Sequence, residues 1–163
     1  MKEPVAPDAA HFAVWADFVL AHTRIMRRIE DVLRSETNIT WAQYDLLYNL
    51  NAADGGRLSI GAVSRSLLYS SGSASNLVAS MVAAQLVDRE RSETDRRSFL
   101  ISATPEGRER FTRATTLVLE IVARDFTSSI ADDELLPVAS FLARLRTADD
   151  GLRRPPYDLP ARG

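Results

Sequence analysis

The stretch that decides the fold is "LSIGAVSRSLLYSSGSASNLVASMVAAQLVDRERSETDRRSFLISA", Leu58 to Ala103. Its first part predicts a short helix from about Ser59 to Leu68, which "YSSG" interrupts. A second helix follows from about Ser71 to Gln85, with Ala74, Leu77, Val78 and Met81 gathered on one side at helical spacing. That side suits packing on Val63 and Leu67, and small Ser64 permits a close approach. Leu86–Arg91 and Ser98–Ala103 then read as two short strands around "SETDRR", a hairpin. Helix, tight turn, helix and hairpin, in that order, predict a winged helix-turn-helix lobe.

The other side of the second helix holds the chemistry. Gly72, Asn76, Ala79 and Ala83 share it, flanked by Ser71, Ser73, Ser75 and Ser80. A recognition helix with this face would meet base edges through its N-terminal half. Asn76 suits adenine, serines suit bases or phosphates, and Ala79 suits a thymine methyl. Ser71, Gly72, Ser73, Ser75, Asn76 and Ser80 are therefore the candidate DNA-reading residues. No Lys or Arg lies between Arg65 and Arg89, so phosphate contacts would fall to Arg57, Arg65, the arginines of the hairpin, hydroxyls and helix N-termini.

Outward from this stretch the chain is helical. From Ala9 to about Glu36, Phe12, Trp15, Val19, His22, Ile25, Ile29 and Val32 form one long stripe. Thr40 and Gln43 fit a capping box opening "TWAQYDLLYNL", and Gly55-Gly56 closes that helix. "ATPEG" restarts helix with Thr104 as N-cap and Pro105 at the first helical position, running to about Ser129. A sixth helix is expected from near Asp132 to near Arg146, with a tightened or kinked first turn at Pro137. The end, "DDGLRRPPYDLPARG", has the composition of an extended tail.

Composition bounds the function. The chain has 163 residues, net charge −2 and 45% hydrophobic residues, suiting one domain. It has no cysteine, which excludes disulfides, thiolate metal sites and thiol redox sensing. No apolar run approaches the roughly 20 residues that span a bilayer, and the N-terminal residues lack the apolar core of a secretory signal. A cytoplasmic protein is expected. His11 and His22 lie about 16 Å apart along a helix, too far to share a metal. "DDELL" is explained by acids at a helix start. No Gly-rich phosphate loop, nucleophile with base or paired carboxylates appears, so neither an enzyme, a metal site nor a cofactor is expected.

Taken together, Leu58 to Phe111 resembles the DNA-binding core of MarR-type transcriptional regulators, most strongly in "DRRSFLISATPEG". The resemblance implies a mainly α fold with a small β-hairpin wing. Within a single domain over 1–163, a winged helix-turn-helix lobe at 40–103 joins dimerisation helices at 9–36 and 105–146, with an extended tail at 147–163. It implies that Arg97 is the wing-tip arginine entering a minor groove, that Asp95 steadies the wing arginines, and that Arg96 sits near phosphate. It implies a homodimer on a pseudo-palindromic double-stranded operator, more in keeping with a repressor than an activator. It also implies a small aromatic effector, for which Trp15, His22, Trp41, Tyr44 and Tyr48 are the candidate lining. Two positions depart from the family pattern. Asn76 stands where a basic residue is common, and Gln85 stands where the turn glycine before the wing is expected. The acidic pI near 5.7 and the charge-free fourth helix support one rival, a winged-helix protein-interaction module that has lost DNA binding; a second rival is a protein that binds a small molecule using only the dimer pocket.

Overall fold

A computed structural model describes residues 8–67, 69–91 and 99–147. Six α-helices and three strands are assigned there: α1 (Ala9–Thr37), α2 (Trp41–Ala52), β1 (Arg57–Ser59), α3 (Ile60–Ser66), α4 (Ser71–Ala83), β2 (Val87–Arg91), β3 (Phe99–Ala103), α5 (Pro105–Asp125) and α6 (Leu135–Thr147). The fold is mainly α with a small antiparallel sheet. The predicted hairpin is part of a three-stranded sheet ordered β1-β3-β2, with Leu58 opposite Ile101 and Arg89 opposite Ile101 from the other side. β1 was not anticipated. Three residues carry no readable alternation, and their partner strand lies some forty positions further along.

Local chemistry sets the boundaries. Asp8 caps α1 by accepting from the His11 amide at 2.8 Å. The Thr40–Gln43 capping box is formed in both directions, at 3.2 and 2.9 Å. The Glu30 carboxylate accepts from the Trp41 amide at 2.7 Å and from Arg34 Nε at 2.7 Å, joining α1 to the start of α2. Ser59, Ser70 and Thr104 each cap the helix that follows by accepting from the amide three residues on. The sixth helix begins at Leu135, later than Asp132. Pro137 thus falls in its first turn, where a missing amide hydrogen costs no helical bond. Likewise α3 ends at Ser66 and α4 at Ala83, short of Leu68 and Gln85.

The core lies inside the lobe. Val63 and Leu67 from the α3 side meet Ala74, Val78 and Met81 from α4, with Leu46, Leu47 and Leu50 of α2 and Ile101 of β3 completing it. Ile29 and Leu33 of α1 and Ala114, Val118 and Ile121 of α5 extend it along the two long helices. These helices pack on each other, and Arg28 Nη1 bonds both Asp125 oxygens, at 3.0 and 2.7 Å, where α5 ends. Beyond that tie most of the N-terminal half of α1 is exposed, as are Leu135, Leu136, Phe141, Leu142 and Leu145 of α6.

Candidate nucleic-acid interface

The turn between α3 and α4 is held from both sides by one residue. Ser64 Oγ donates to the Tyr69 carbonyl at 2.6 Å, and the Tyr69 amide donates to the Ser64 carbonyl at 2.9 Å. With Ala74, Val78 and Met81 at no more than 1% exposure, α4 cannot roll within the lobe. Its outward face is fixed as Ser71, Gly72, Ser73, Ser75, Asn76, Ala79, Ser80 and Ala83, all exposed. The candidate reading residues of α4 thus share one surface. Their hydroxyls are not equivalent. Ser73 Oγ lies 3.0 Å from Ser70 Oγ, and Ser80 Oγ donates to the Leu77 carbonyl at 2.8 Å. Ser71, Ser75 and Asn76 have no side-chain hydrogen bond among the described residues and are the groups available to a ligand.

The end of α4 explains one departure from the family pattern. Gln85 has φ +58°, a left-handed conformation that glycine adopts most cheaply. The Gln85 amide donates to Val82 O at 3.0 Å and the Leu86 amide to Met81 O at 2.9 Å, the paired bonds of a Schellman cap. Leu86 and Met81 are both buried, supplying the apolar contact of that cap. The turn glycine's conformation is therefore kept without the glycine.

This turn is fastened to α5. Thr104 Oγ1 donates to Gln85 O at 2.7 Å and accepts from the Gly107 amide at 2.9 Å, while the Thr104 amide donates to Leu86 O at 3.1 Å. Gly107 allows the approach, since a Cβ there would stand 2.0 Å from the Leu86 oxygen. "ATPEG" thus does more than start a helix.

The sheet adds cations that the sequence reading passed over. Arg89 holds its guanidinium carbon 3.7 Å from the Phe99 ring centroid, and Arg91 lies 5.9 Å from it. Their i, i+2 spacing on β2 was the available signal, because alternate strand residues share a face. Asp95, Arg96 and Arg97 lie outside the described residues. Of the two other arginines, Arg57 is exposed with Nη2 4.0 Å from Glu90 Oε2, and Arg65 is exposed on α3.

The proposed pocket residues fall into two groups within the chain. Trp41, Tyr44 and Tyr48 join Phe111 in one ring cluster, with Tyr44 5.4 Å from Trp41 and 5.6 Å from Phe111. Trp15 and His22 lie elsewhere, exposed on α1 on either side of Phe18. No cluster of three His, Cys, Asp or Glu able to hold a metal occurs among the described residues. Nor is any described helix long and apolar enough to cross a membrane.

Residues 37–98 match the model of the MarR family. Over that span the winged-helix lobe is similar to that family. Known structures extend the likeness of this MarR-type lobe to the flanking helices. The chain superposes on Sco3205, a MarR family transcriptional regulator from Streptomyces coelicolor solved with DNA, at a TM-score of 0.84 with 18% identity, covering 95% of this chain and 98% of that one. AbsC, another MarR family regulator from the same organism, gives 0.81 with 21% identity over 89% and 97%. Bordetella bronchiseptica BpsR, whose DNA binding is regulated by 6-hydroxynicotinic acid, gives 0.71 with 18% identity over 91% and 100%. At these identities the likeness is one of fold. No curated protein sequence matches the chain.

Proposed function

We propose that the chain is a homodimeric, sequence-specific DNA-binding transcriptional regulator that represses in the cytoplasm and releases DNA in response to a small aromatic ligand. The observation that carries this reading is the outward face of α4, held by a fixed turn on one side and by a pinned wing root on the other, in a lobe that matches the MarR family. A helix locked by its buried side and free on its polar side has the form required to enter a major groove. Sco3205 is solved with DNA, which supports carrying that role to this chain.

The dimer is supported by the apolar surface left on α1 and α6. Phe12, Trp15, Phe18, Leu136 and Phe141 are all at least 42% exposed, more apolar surface than isolated chains usually leave to water. A two-fold partner on this surface sets two α4 helices to read half-sites about 34 Å apart, one DNA turn. Arg97 at the wing tip enters the minor groove beside them, Asp95 steadies it, and Arg96, Arg57 and Arg65 contact phosphate. The effector role is supported by BpsR and by the two aromatic groups, Trp41, Tyr44 and Tyr48 in one and Trp15 and His22 in the other, which a partner chain is needed to bring together.

A second reading is favoured by the absence of Lys and Arg from α4. A winged helix without cations on its reading helix suits a protein partner. Fluorescence anisotropy against DNA upstream of the protein's own gene, beside a scrambled duplex, separates the two. The regulator reading expects preferential binding whose log affinity falls linearly with log salt, by roughly 0.9 per phosphate neutralised, with a shallower slope for Arg97→Ala. Equal, weak binding of both duplexes overturns it in favour of the interaction module.

A further inference from the structure

The side chains that α4 exposes restrict which bases it can read. In the major groove guanine presents two acceptors, N7 and O6, best met by the two donors of Arg or of Lys. Cytosine presents a donor, met by Asp or Glu. The outward face of α4 has none of these four residue types. What it has is one carboxamide at Asn76 and the methyl groups of Ala79 and Ala83, all exposed. A carboxamide offers one acceptor and one donor side by side, the complement of adenine N6 and N7. Small apolar side chains complement the C5-methyl of thymine. Gly72, Asn76, Ala79 and Ala83 follow one another at helical spacings of four, three and four, forming one ridge that lies opposite buried Ala74, Val78 and Met81.

Resting on the DNA-binding reading above, we infer that the operator half-site facing α4 is built of A·T pairs, with Asn76 reading adenine and Ala79 and Ala83 packing on thymine methyls, and that no guanine is read there. The serines do not alter this assignment. Ser73 is paired with Ser70 and Ser80 donates into its own helix, while Ser71 and Ser75 are left to phosphate oxygens. The small ridge also sets a distance, since alanines reach a methyl only when the helix backbone sits deep in the groove. Gly72 at the leading end removes the side chain that would hold it out.

The test is selection of duplexes from a randomised pool by the full-length protein, followed by single-atom base substitutions in the selected site. Positions facing α4 are identified as those whose preference changes in Asn76→Ala. They are expected to be A·T, and the pair read by Asn76 should lose roughly tenfold or more in discrimination in that variant. Replacing a thymine there by uracil removes one methyl and should weaken binding about fourfold. Replacing guanines by 7-deazaguanine should leave affinity unchanged. Asn76→Arg should move the preference at its pair from adenine to guanine, a gain of function that misfolding cannot imitate. A specific site in which wild-type α4 requires guanine, with affinity lost on 7-deazaguanine substitution, overturns the inference while leaving the regulator reading intact. A pool that yields no enriched sequence overturns both.

Discussion

Gly107 sits where α5 passes the Leu86 carbonyl so closely that a methyl group would lie 2.0 Å from the oxygen. Both sides of that contact are backbone, so Gly107→Ala must displace the turn or the helix. Overpacking of this kind costs about 1–3 kcal/mol, and the urea midpoint should fall accordingly with an unchanged slope. A variant as stable as the wild type would show that the helix start yields easily. Gln85 presents the opposite case. A side chain in the left-handed region costs about 1–2 kcal/mol, of which the greater freedom of glycine in the unfolded chain takes back about 0.4–1 kcal/mol. Gln85→Gly should therefore raise stability by about 0.5–1 kcal/mol without weakening DNA binding. A lower midpoint would mean that the Gln85 side chain makes a contribution larger than its strain. Sequence alone marked Gln85 as unusual but could not say whether the turn had changed shape, because backbone sign is not written in a side chain.

Between elements, the tie of α1 to α5 is the most readily titrated. Arg124 Nε and Nη2, at 2.9 and 3.4 Å, and Arg28 Nη1 all donate to Asp125. The hydrogen bonds from Arg124, then from Arg28, hold its carboxyl down from the ordinary 3.8 to about 2. A carboxyl depressed on folding stabilises the fold fully above its unfolded value and loses that contribution as pH falls toward its folded value. Wild type and Asp125→Asn should thus differ in urea midpoint at pH 5 and above and converge between about 4 and about 2. A gap that stays constant through that window would rule the linkage out. Helices were the legible elements. The stripe of α1, the Thr40–Gln43 box and the buried side of α4 all follow from spacings of three and four that any helix must obey. What escaped was non-local. β1 exists because Arg57, Leu58 and Ser59 find partners at 100–102, and Arg89 matters because Phe99 of another strand lies under it. The surface of α4 was legible as a face; which of its hydroxyls are already engaged was not, since that depends on neighbours such as Ser70.

For the whole molecule, the decisive surface is the one no described element covers. Phe18 is 45% exposed on the half of α1 that runs past the end of α5. A charge there leaves the lobe's core untouched, so Phe18→Glu should fold and fail to pair. Light scattering should give twice 18.1 kDa for the wild type and 18.1 kDa for the variant, and only the wild type should melt at a temperature that rises with concentration. An unchanged mass would remove this face from the interface. Size also bears on how far a small displacement travels. α5 is 21 residues long, about 31 Å at the usual rise. Its first turn is bonded to the end of α4, its last residue to α1. It therefore links the candidate reading face to α1, and a tilt of about 5° about its far end would carry its near end about 3 Å. That is close to the rise of one base pair, so the proposed effector would need to tilt α5 by no more than this to change what the proposed reading face reaches.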